Sequence, residues 1–494
     1  MRAGTLPPVV ASRPRYDVVV VGAGPNGLAA AVALARSGLG TLLVEANPTP
    51  GGGARSQALT VPGFVHDTCS TVHPLGRASP FFRALPLERH GLSWIDSPAP
   101  VAHVLDDGRA VLLERSLAET ARGLGVDGDA YRALVEPFVE RFAELLPMIL
   151  APPRWPSSPS LLARFGLRGL RSLAGLTNAR FREEPARALM AGIAAHAMLP
   201  LDALATASFG LVLATAGHAV GWPVARGGSQ AISDALAACL REHGGELVLG
   251  QPVERLSQLP RARAYVLDVT PKQLLAIARD ELPLDYVQRL GRFRYGAGVY
   301  KMDWALSGPI PWQDPACARA VTVHLSGGLA TISAAEAAVH AGHLAPRPFV
   351  LVVQASSVDP TRAPAGHHTA WAYCHVPNGA ALDASRAIEG ELERFAPGFK
   401  QLVLGRSLRN AIDMERHNPN YVGGDINGGS SDLPQLFFRP IVSLDPYATP
   451  LPELFLCSSS TPPGGGVHGM CGYWAARSVL ARRFGRRIDP ALLV

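Results

Sequence analysis

Residues 16–21, Tyr-Asp-Val-Val-Val-Val, are a short, mostly β-branched run without polar alternation, which predicts a strand buried on both faces. The run stops at Gly22-Ala23-Gly24-Pro25-Asn26-Gly27. Residues 28–36 are rich in Ala and Leu and end before Gly38, which predicts a helix and its stop. A second apolar run, residues 41–44, closes on Glu45. The same order returns at the far end of the chain. Residues 454–457 read as a strand and residues 458–463 as a polar turn. Gly464-Gly465-Gly466-Val467-His468-Gly469-Met470 is a glycine loop, and residues 472–483 predict a helix.

Between these ends the pattern is mixed. Residues 118–150 carry amphipathic helical periodicity, and residues 152–159 form a proline-rich connector. Residues 295–304, 349–354 and 370–376 predict strands, and residues 383–395 a helix with its acids toward solvent. Residues 203–225 contain no Asp, Glu, Lys or Arg, long enough by count to cross a bilayer. They also hold Thr206, Ser208, Gly210, Thr215, Gly217, His218, Gly221 and Pro223, so the expectation is a buried helix pair lining a cavity.

The glycine-rich segments carry chemistry. A G-x-G-x-x-G between a strand and a helix is the pattern of a dinucleotide site. Gly22 permits the tight turn, Gly24 lets the backbone approach a pyrophosphate, and Gly27 lets the helix pack against the strand. The helix N-terminus offers unpaired N–H groups and a partial positive charge. Glu45, 18 residues after Gly27, suits a ribose diol and repels a 2′-phosphate. Pro50-Gly51-Gly52-Gly53-Ala54-Arg55-Ser56 is a second glycine loop, suited to the other side of an extended cofactor, with Arg55 as a cation for its phosphates. The loop at 464–470 suits the N1–C2=O edge of a flavin, which becomes anionic on reduction. The other G-x-G-x-x-G matches, at 123–128 and 464–469, fall in the amphipathic helical run and in the loop suited to the flavin edge, and neither reads as a nicotinamide domain, so FAD is the expected cofactor.

Composition narrows the classes. With 494 residues, 48% of them apolar and 17% charged, the chain buries a large core in two or three domains. The formal charge is +6, but only Lys272, Lys301 and Lys400 among the 46 cations are lysine, and no base-reading motif accompanies the arginines. No nucleic-acid partner is expected. The six cysteines contain no C-x-x-C pair, which excludes a zinc ribbon and a disulfide framework and fits a cytoplasmic protein. No metal-ligand spacing, G-x-S-x-G or Walker loop is present.

The opening G-A-G-P-N-G, the G-G-G-A-R-S loop and the ending L-C-S-S-S-T-P-P-G-G-G-V-H-G-M resemble the FAD-dependent phytoene desaturase-like oxidoreductases. Within that family they are most similar to the bacterial relatives of pyridine nucleotide-disulphide oxidoreductase domain-containing protein 2. Gly221-Trp222-Pro223 through Arg226-Gly227-Gly228-Ser229 resembles a further segment of the family that runs past the flavin. The resemblance spans nearly the whole chain and implies an α/β fold, with a Rossmann-like FAD-binding domain interleaved with an α+β substrate domain, as in phytoene desaturases and amine oxidases. The implied FAD-binding pieces are residues 14–90, 226–282 and 440–494, and the substrate-domain pieces are 91–225 and 283–439. Implied cofactor contacts are Gly22, Ala23, Gly24, Pro25, Asn26, Gly27, Glu45, Ala46, Gly53, Ala54, Arg55, Val253, Cys457, Gly466, Val467 and Met470. Family members carry a strand hairpin after the Val253 segment. Here only about ten residues separate Val253 from the next apolar run, 264–268, so the accessory sheet is expected to be missing.

For catalysis the candidates are His468, inside the last glycine loop, and Lys301, which strand alternation places on one face with Asp303. His468 is a proton-transfer group or a neutral residue orienting its loop. Lys301 is a lysine holding a water near the flavin, as in amine-oxidase-like enzymes, or one half of a charge pair. The resemblance implies dehydrogenation or isomerisation of an apolar isoprenoid or lipid-like substrate by hydride transfer to flavin. The alternatives are a flavin amine oxidase using O₂, and a flavin-binding regulatory protein with little turnover. Peripheral membrane contact is expected through residues 186–225, and the oligomeric state is not legible.

Overall fold

The computed structural model describes residues 7–488; the end of the expected third FAD-binding piece, residues 489–494, lies outside them. Two sheets organise the chain. The first has five strands in the order Leu454–Leu456, Arg261–Leu267, Arg15–Val21, Thr41–Val44, Glu246–Val248. Every adjacent pair is parallel. The strand at its centre is the Val-rich run near the N-terminus, and Val18, Val19 and Val20 are fully buried because helices cover both faces. Helices Pro25–Arg36, Gln230–Glu242 and Met470–Phe484 pack one face. Helices Pro271–Ala278 and Leu284–Leu290 pack the other.

The second sheet has seven strands in the order Val403–Arg409, Gly298–Leu306, His368–Val376, Val350–Val353, Ala320–Leu325, Ala99–Val104, Ala110–Leu113. Its pairs are antiparallel except Ala320–Leu325 with Ala99–Val104. Helices Gly128–Val139, Glu184–Ala194 and Thr206–Val220 build an apolar layer on one face, and helix Ser385–Phe395 covers the other around Trp304 and Phe399.

Two expectations change in detail and a third holds. Residues 118–150 form three helices, Leu117–Gly123, Gly128–Val139 and Phe142–Ile149; Gly123, Gly125 and Gly128 mark the first break, and the second falls at Glu140-Arg141. Residues 203–225 form one helix, Thr206–Val220, rather than a pair. It ends at Gly221 (φ 86°), just before Pro223, and its buried face rests on helix Glu184–Ala194. Between Val253 and strand Arg261–Leu267 there is only a 3₁₀ turn, Leu256–Gln258, and no hairpin. Among the described residues no helix is long and apolar enough to cross a membrane.

The first and last helices cross in close contact. A Cβ on Gly472 would stand 1.9 Å from the Asn26 carbonyl oxygen and 2.8 Å from the Ala30 nitrogen. Both neighbours are backbone and have no rotamer to yield. Gly472→Ala is therefore expected to lose about 1–3 kcal/mol from overpacking, despite alanine's better helix propensity. Gly390, in helix Ser385–Phe395, meets nothing within 4 Å, and Gly390→Ala should gain about 0.5–1 kcal/mol. Urea unfolding midpoints of the two variants check the opposite signs.

Candidate active site

The carboxyl ends of four parallel strands deliver Gly22, Glu45, Asp268 and Cys457 to one edge of the first sheet, the usual ligand edge of an open α/β sheet. Gly22 turns the chain with φ 96°. A Cβ on Gly27 would stand 1.9 Å from the Gly22 carbonyl oxygen, and one on Gly24 would stand 2.7 Å from Asp268 Oδ2. The same Oδ2 accepts the Gly27 N–H at 2.8 Å. Asp268 thus ties the end of its strand to the start of helix Pro25–Arg36. Burial raises its carboxyl from 3.8 to about 7, the Gly27 hydrogen bond opposing and the Glu45 charge reinforcing the shift.

Glu45 Oε2 accepts the Ala23 N–H at 2.7 Å, and its Oε1 accepts the backbone and side-chain N–H groups of Asn47 at 2.9 and 2.7 Å. The acid is therefore aimed at the glycine loop and its neighbour strand. The second glycine loop lies across from the first: a Cβ on Gly52 would stand 3.0 Å from Gly24 Cα, and one on Gly53 2.5 Å from the Tyr421 hydroxyl. Arg55 is 2% exposed, donates to the Gly52 carbonyl at 3.2 Å and contacts His417 Nε2 at 3.4 Å. Among the described residues no carboxylate lies within ion-pair distance of it. Burial lowers its pKa, with Glu45 opposing. A buried guanidinium on a cavity wall without a carboxylate partner is a site for a ligand anion.

These loops enclose one cavity of about 1040 Å³, which reaches from the edge of the first sheet to the face of the second. At one end Gly22, Gly24, Pro25, Asn26, Glu45, Ala46, Gly53, Arg55 and Val253 form the wall. The amides of Glu254 and Arg255 are taken by Gln258 Oε1 at 2.8 and 3.0 Å, whereas the Val253 N–H has no protein acceptor among the described residues. Gly464, Gly465, Gly466 and Val467 border the middle, opposite Asn427 and Gly428. Asp425 holds that facing turn by accepting the N–H groups of Gly296, Asn427 and Gly429 at 2.7–2.8 Å. The far end is apolar, formed by Phe165, Phe209, Val212, Leu351, Trp371 and Tyr373, with His196 among them.

Seven of the residues expected at the site stand off this wall. Ala23 and Gly27 lie behind the first loop, and Ala54 behind the second. Cys457, Met470 and His468 are buried behind the last loop. His468 Nδ1 accepts the Met470 N–H at 3.0 Å and its carbonyl accepts the Ser79 hydroxyl at 2.6 Å. Burial lowers its pKa to about 4, so it is a neutral residue capping the start of helix Met470–Phe484. Lys301 is also off the wall. It is 1% exposed, its ammonium is bonded to Asp303 and lies 4.9 Å from the centre of the Trp371 ring, whose own position is the cavity surface.

Sequence reasoning missed Asp268, Tyr421 and His196. Asp268 carried a signal, an acid closing a strand-like run in the same way as Glu45. Tyr421 and His196 carried none, because only the tertiary fold brings them to the cavity.

The comparisons with known proteins agree with this geometry. Residues 20–85 match the family model of the NAD(P)-binding Rossmann-like domain. The chain is 28% identical to pyridine nucleotide-disulfide oxidoreductase domain-containing protein 2 of Rattus norvegicus, over 94% of each chain. It is 52% identical to hydroxyneurosporene desaturase of Rhodobacter capsulatus over 60 residues, 12% of each chain. The structure of wild-type putrescine oxidase bound to putrescine is similar with a TM-score of 0.61 at 18% identity, covering 95% of this chain and 99% of that one. The chain is thus a homologue of the rat protein and an oxidoreductase with a Rossmann-like domain for a flavin or nucleotide cofactor.

The Asp268 carboxyl has a measurable consequence. Held near 7 in the fold and ordinary when unfolded, it binds its proton more tightly in the native state. Its stabilising contribution is complete below pH about 4 and is lost as pH rises toward 7. Asp268→Asn keeps an oxygen acceptor for the Gly27 N–H but cannot ionise. Thermal unfolding should show the variant stabilised relative to wild type by roughly 2–4 kcal/mol at pH 8, the difference vanishing near pH 4.

Proposed function

We propose that the chain is an FAD-dependent oxidoreductase that dehydrogenates or isomerises an apolar, isoprenoid or lipid-like molecule by hydride transfer to flavin. The observation that carries this reading is the single cavity, polar and cationic at one end and apolar at the other. A nicotinamide dinucleotide would need one glycine loop. Here three converge, at 22–27, 51–53 and 464–466, which suits a longer cofactor flanked on both sides.

The residues present fit FAD. Glu45 and the Val253 N–H suit its adenosine end, the Gly22–Gly27 backbone and Arg55 its pyrophosphate, and the 464–467 backbone its ring. When bound, the flavin supplies a two-electron acceptor for hydride. The apolar wall orients a hydrocarbon and excludes water from the reacting carbon, while Trp371 and Tyr373, stacked at 5.8 Å and 22°, offer a flat surface to a planar chain. The amine oxidase alternative rests on Lys301, whose ammonium is engaged by Asp303 behind Trp371.

Peripheral membrane contact belongs to the same proposal, through the 186–225 stretch and the exposed residues beside it. Helices Glu184–Ala194 and Thr206–Val220 are largely buried. Among the exposed apolar side chains are Trp155, Leu167, Leu170 and Leu204; Leu170 and Arg154 also line the cavity, and Leu204 lies within 186–225. They would let an apolar substrate pass from a lipid surface to the cavity.

Two experiments test this reading. Anaerobic mixing of the purified yellow protein with polyenes, amines and NAD(P)H should bleach the flavin band only with an apolar polyene-type substrate; bleaching by amines alone would overturn the reading. Arg55→Gln should weaken FAD rebinding about 10–100-fold, read by flavin fluorescence titration of the apoprotein.

A further inference from the structure

The apolar end of the cavity continues into an unusual row. Tyr373, Leu351, His324 and His103 are direct cross-strand neighbours on four adjacent strands of the second sheet. The first two stand on the cavity wall, and the two histidines are fully buried beyond it. His196, on the wall, places its Nε2 3.3 Å from His324 Nε2.

The other ring nitrogens are as informative. His103 Nε2 lies 2.6 Å from the Gly327 carbonyl oxygen, which only accepts, so Nε2 carries the His103 proton and Nδ1 is bare. His103 Nδ1 and His324 Nδ1 are both buried without a hydrogen-bond partner. Both face one point on helix Glu184–Ala194, where a Cβ on Gly192 would stand 2.5 Å from the first and 2.7 Å from the second. The nitrogens are therefore within bridging distance of a single water molecule, and a side chain at 192 would keep it out. Among the described residues these histidines do not form a group with metal-ligand spacing.

We propose that His196 accepts a proton from the substrate and that His324 and His103, joined by one water over Gly192, relay that proton away from the cavity. The relay rests on the dehydrogenation proposed above, in which a substrate that gives up hydride also gives up a proton. In the resting state His196 carries its proton on Nε2 and donates to His324 Nε2. His324 carries its proton on Nδ1 and donates to the water, which donates to His103 Nδ1. His196 Nδ1 is then bare, on a ring that lines the cavity.

On reaction the substrate X–H proton passes to His196 Nδ1 and its electron pair stays on the substrate. The His196 Nε2 proton moves to His324 Nε2, the His324 Nδ1 proton to the water, and a water proton to His103 Nδ1. One proton has crossed from substrate to His103, nothing in the chain is oxidised or reduced, and the water is regenerated. Burial keeps all three rings neutral, holding His103 and His196 to about 4 and His324 well below its ordinary value. The charged groups around them are few. Asp106 favours the imidazolium at His103, and His375, paired through Nδ1 with Glu336 at 2.8 Å, disfavours it at His196.

Ring ¹H–¹⁵N correlation spectra of the purified full chain, labelled at histidine and assigned by single replacements, test the relay. At pH 7 the expected tautomers are Nε2–H for His196 and His103 and Nδ1–H for His324. In His103→Phe the water loses its acceptor, and His324 should move its proton to Nε2 and leave His196 as the Nδ1–H tautomer. A merely structural cluster would leave His196 unchanged in that variant. A wild-type His196 protonated on Nδ1, or a His196 tautomer indifferent to His103→Phe, would overturn the proposal; the wild-type spectrum decides even where the variant does not fold. The readout needs neither flavin nor substrate. Colourless protein with the expected tautomers would sink the FAD reading alone, and yellow protein with the wrong ones the relay alone.

Discussion

Backbone lies directly against backbone around residues 22–27, and the rest of the site depends on that contact. Gly27 leaves no room for a side chain under Gly22, Gly24 none beside Asp268, and Gly472 none against Asn26. Three separate stretches of chain meet there, from the N-terminus, the middle and the C-terminal helix. The Asp268 carboxylate then fixes the meeting point through the Gly27 N–H. Because the glycines bring the elements so close, the edge of the sheet presents N–H groups and a helix dipole instead of side chains, which is what a phosphate-bearing ligand requires.

The second half of the molecule answers a different requirement. A seven-stranded sheet covered by helices on both faces gives a stiff, apolar wall, and the cavity lies where that wall faces the glycine loops. Arg55 brings a buried charge to one end, and the histidine row brings neutral, titratable nitrogens to the other. Between them the surface is mostly apolar. Such a division supports an apolar molecule bound next to an anionic cofactor, with proton transfer confined to the cavity's far end.

Much of this was legible in the sequence, and the reasons are local. The Val-rich run before Gly22, the spacing to Glu45 and the repeat of strand, glycine loop and helix near the C-terminus are short-range patterns, and each marks its element. The long amphipathic stretch at 118–150 was harder, since a periodicity count passes over Gly123, Gly125 and Gly128, where the chain turns. The catalytic candidates were the least legible. His468 sits in the right loop, but its Nδ1 caps the helix that follows. Lys301 shares a strand face with Asp303, and that face is buried behind Trp371. His103, His196 and His324 come from three distant elements and become a group only through sheet register.

Three glycine loops and Arg55 are together proposed to hold FAD. Denaturing the freshly purified full chain and identifying the released nucleotide by chromatography and mass spectrometry tests this most directly. The account predicts FAD in close to one-to-one ratio with the chain. Release of NAD(P), or of no nucleotide from protein that also fails to take up added FAD, would contradict it.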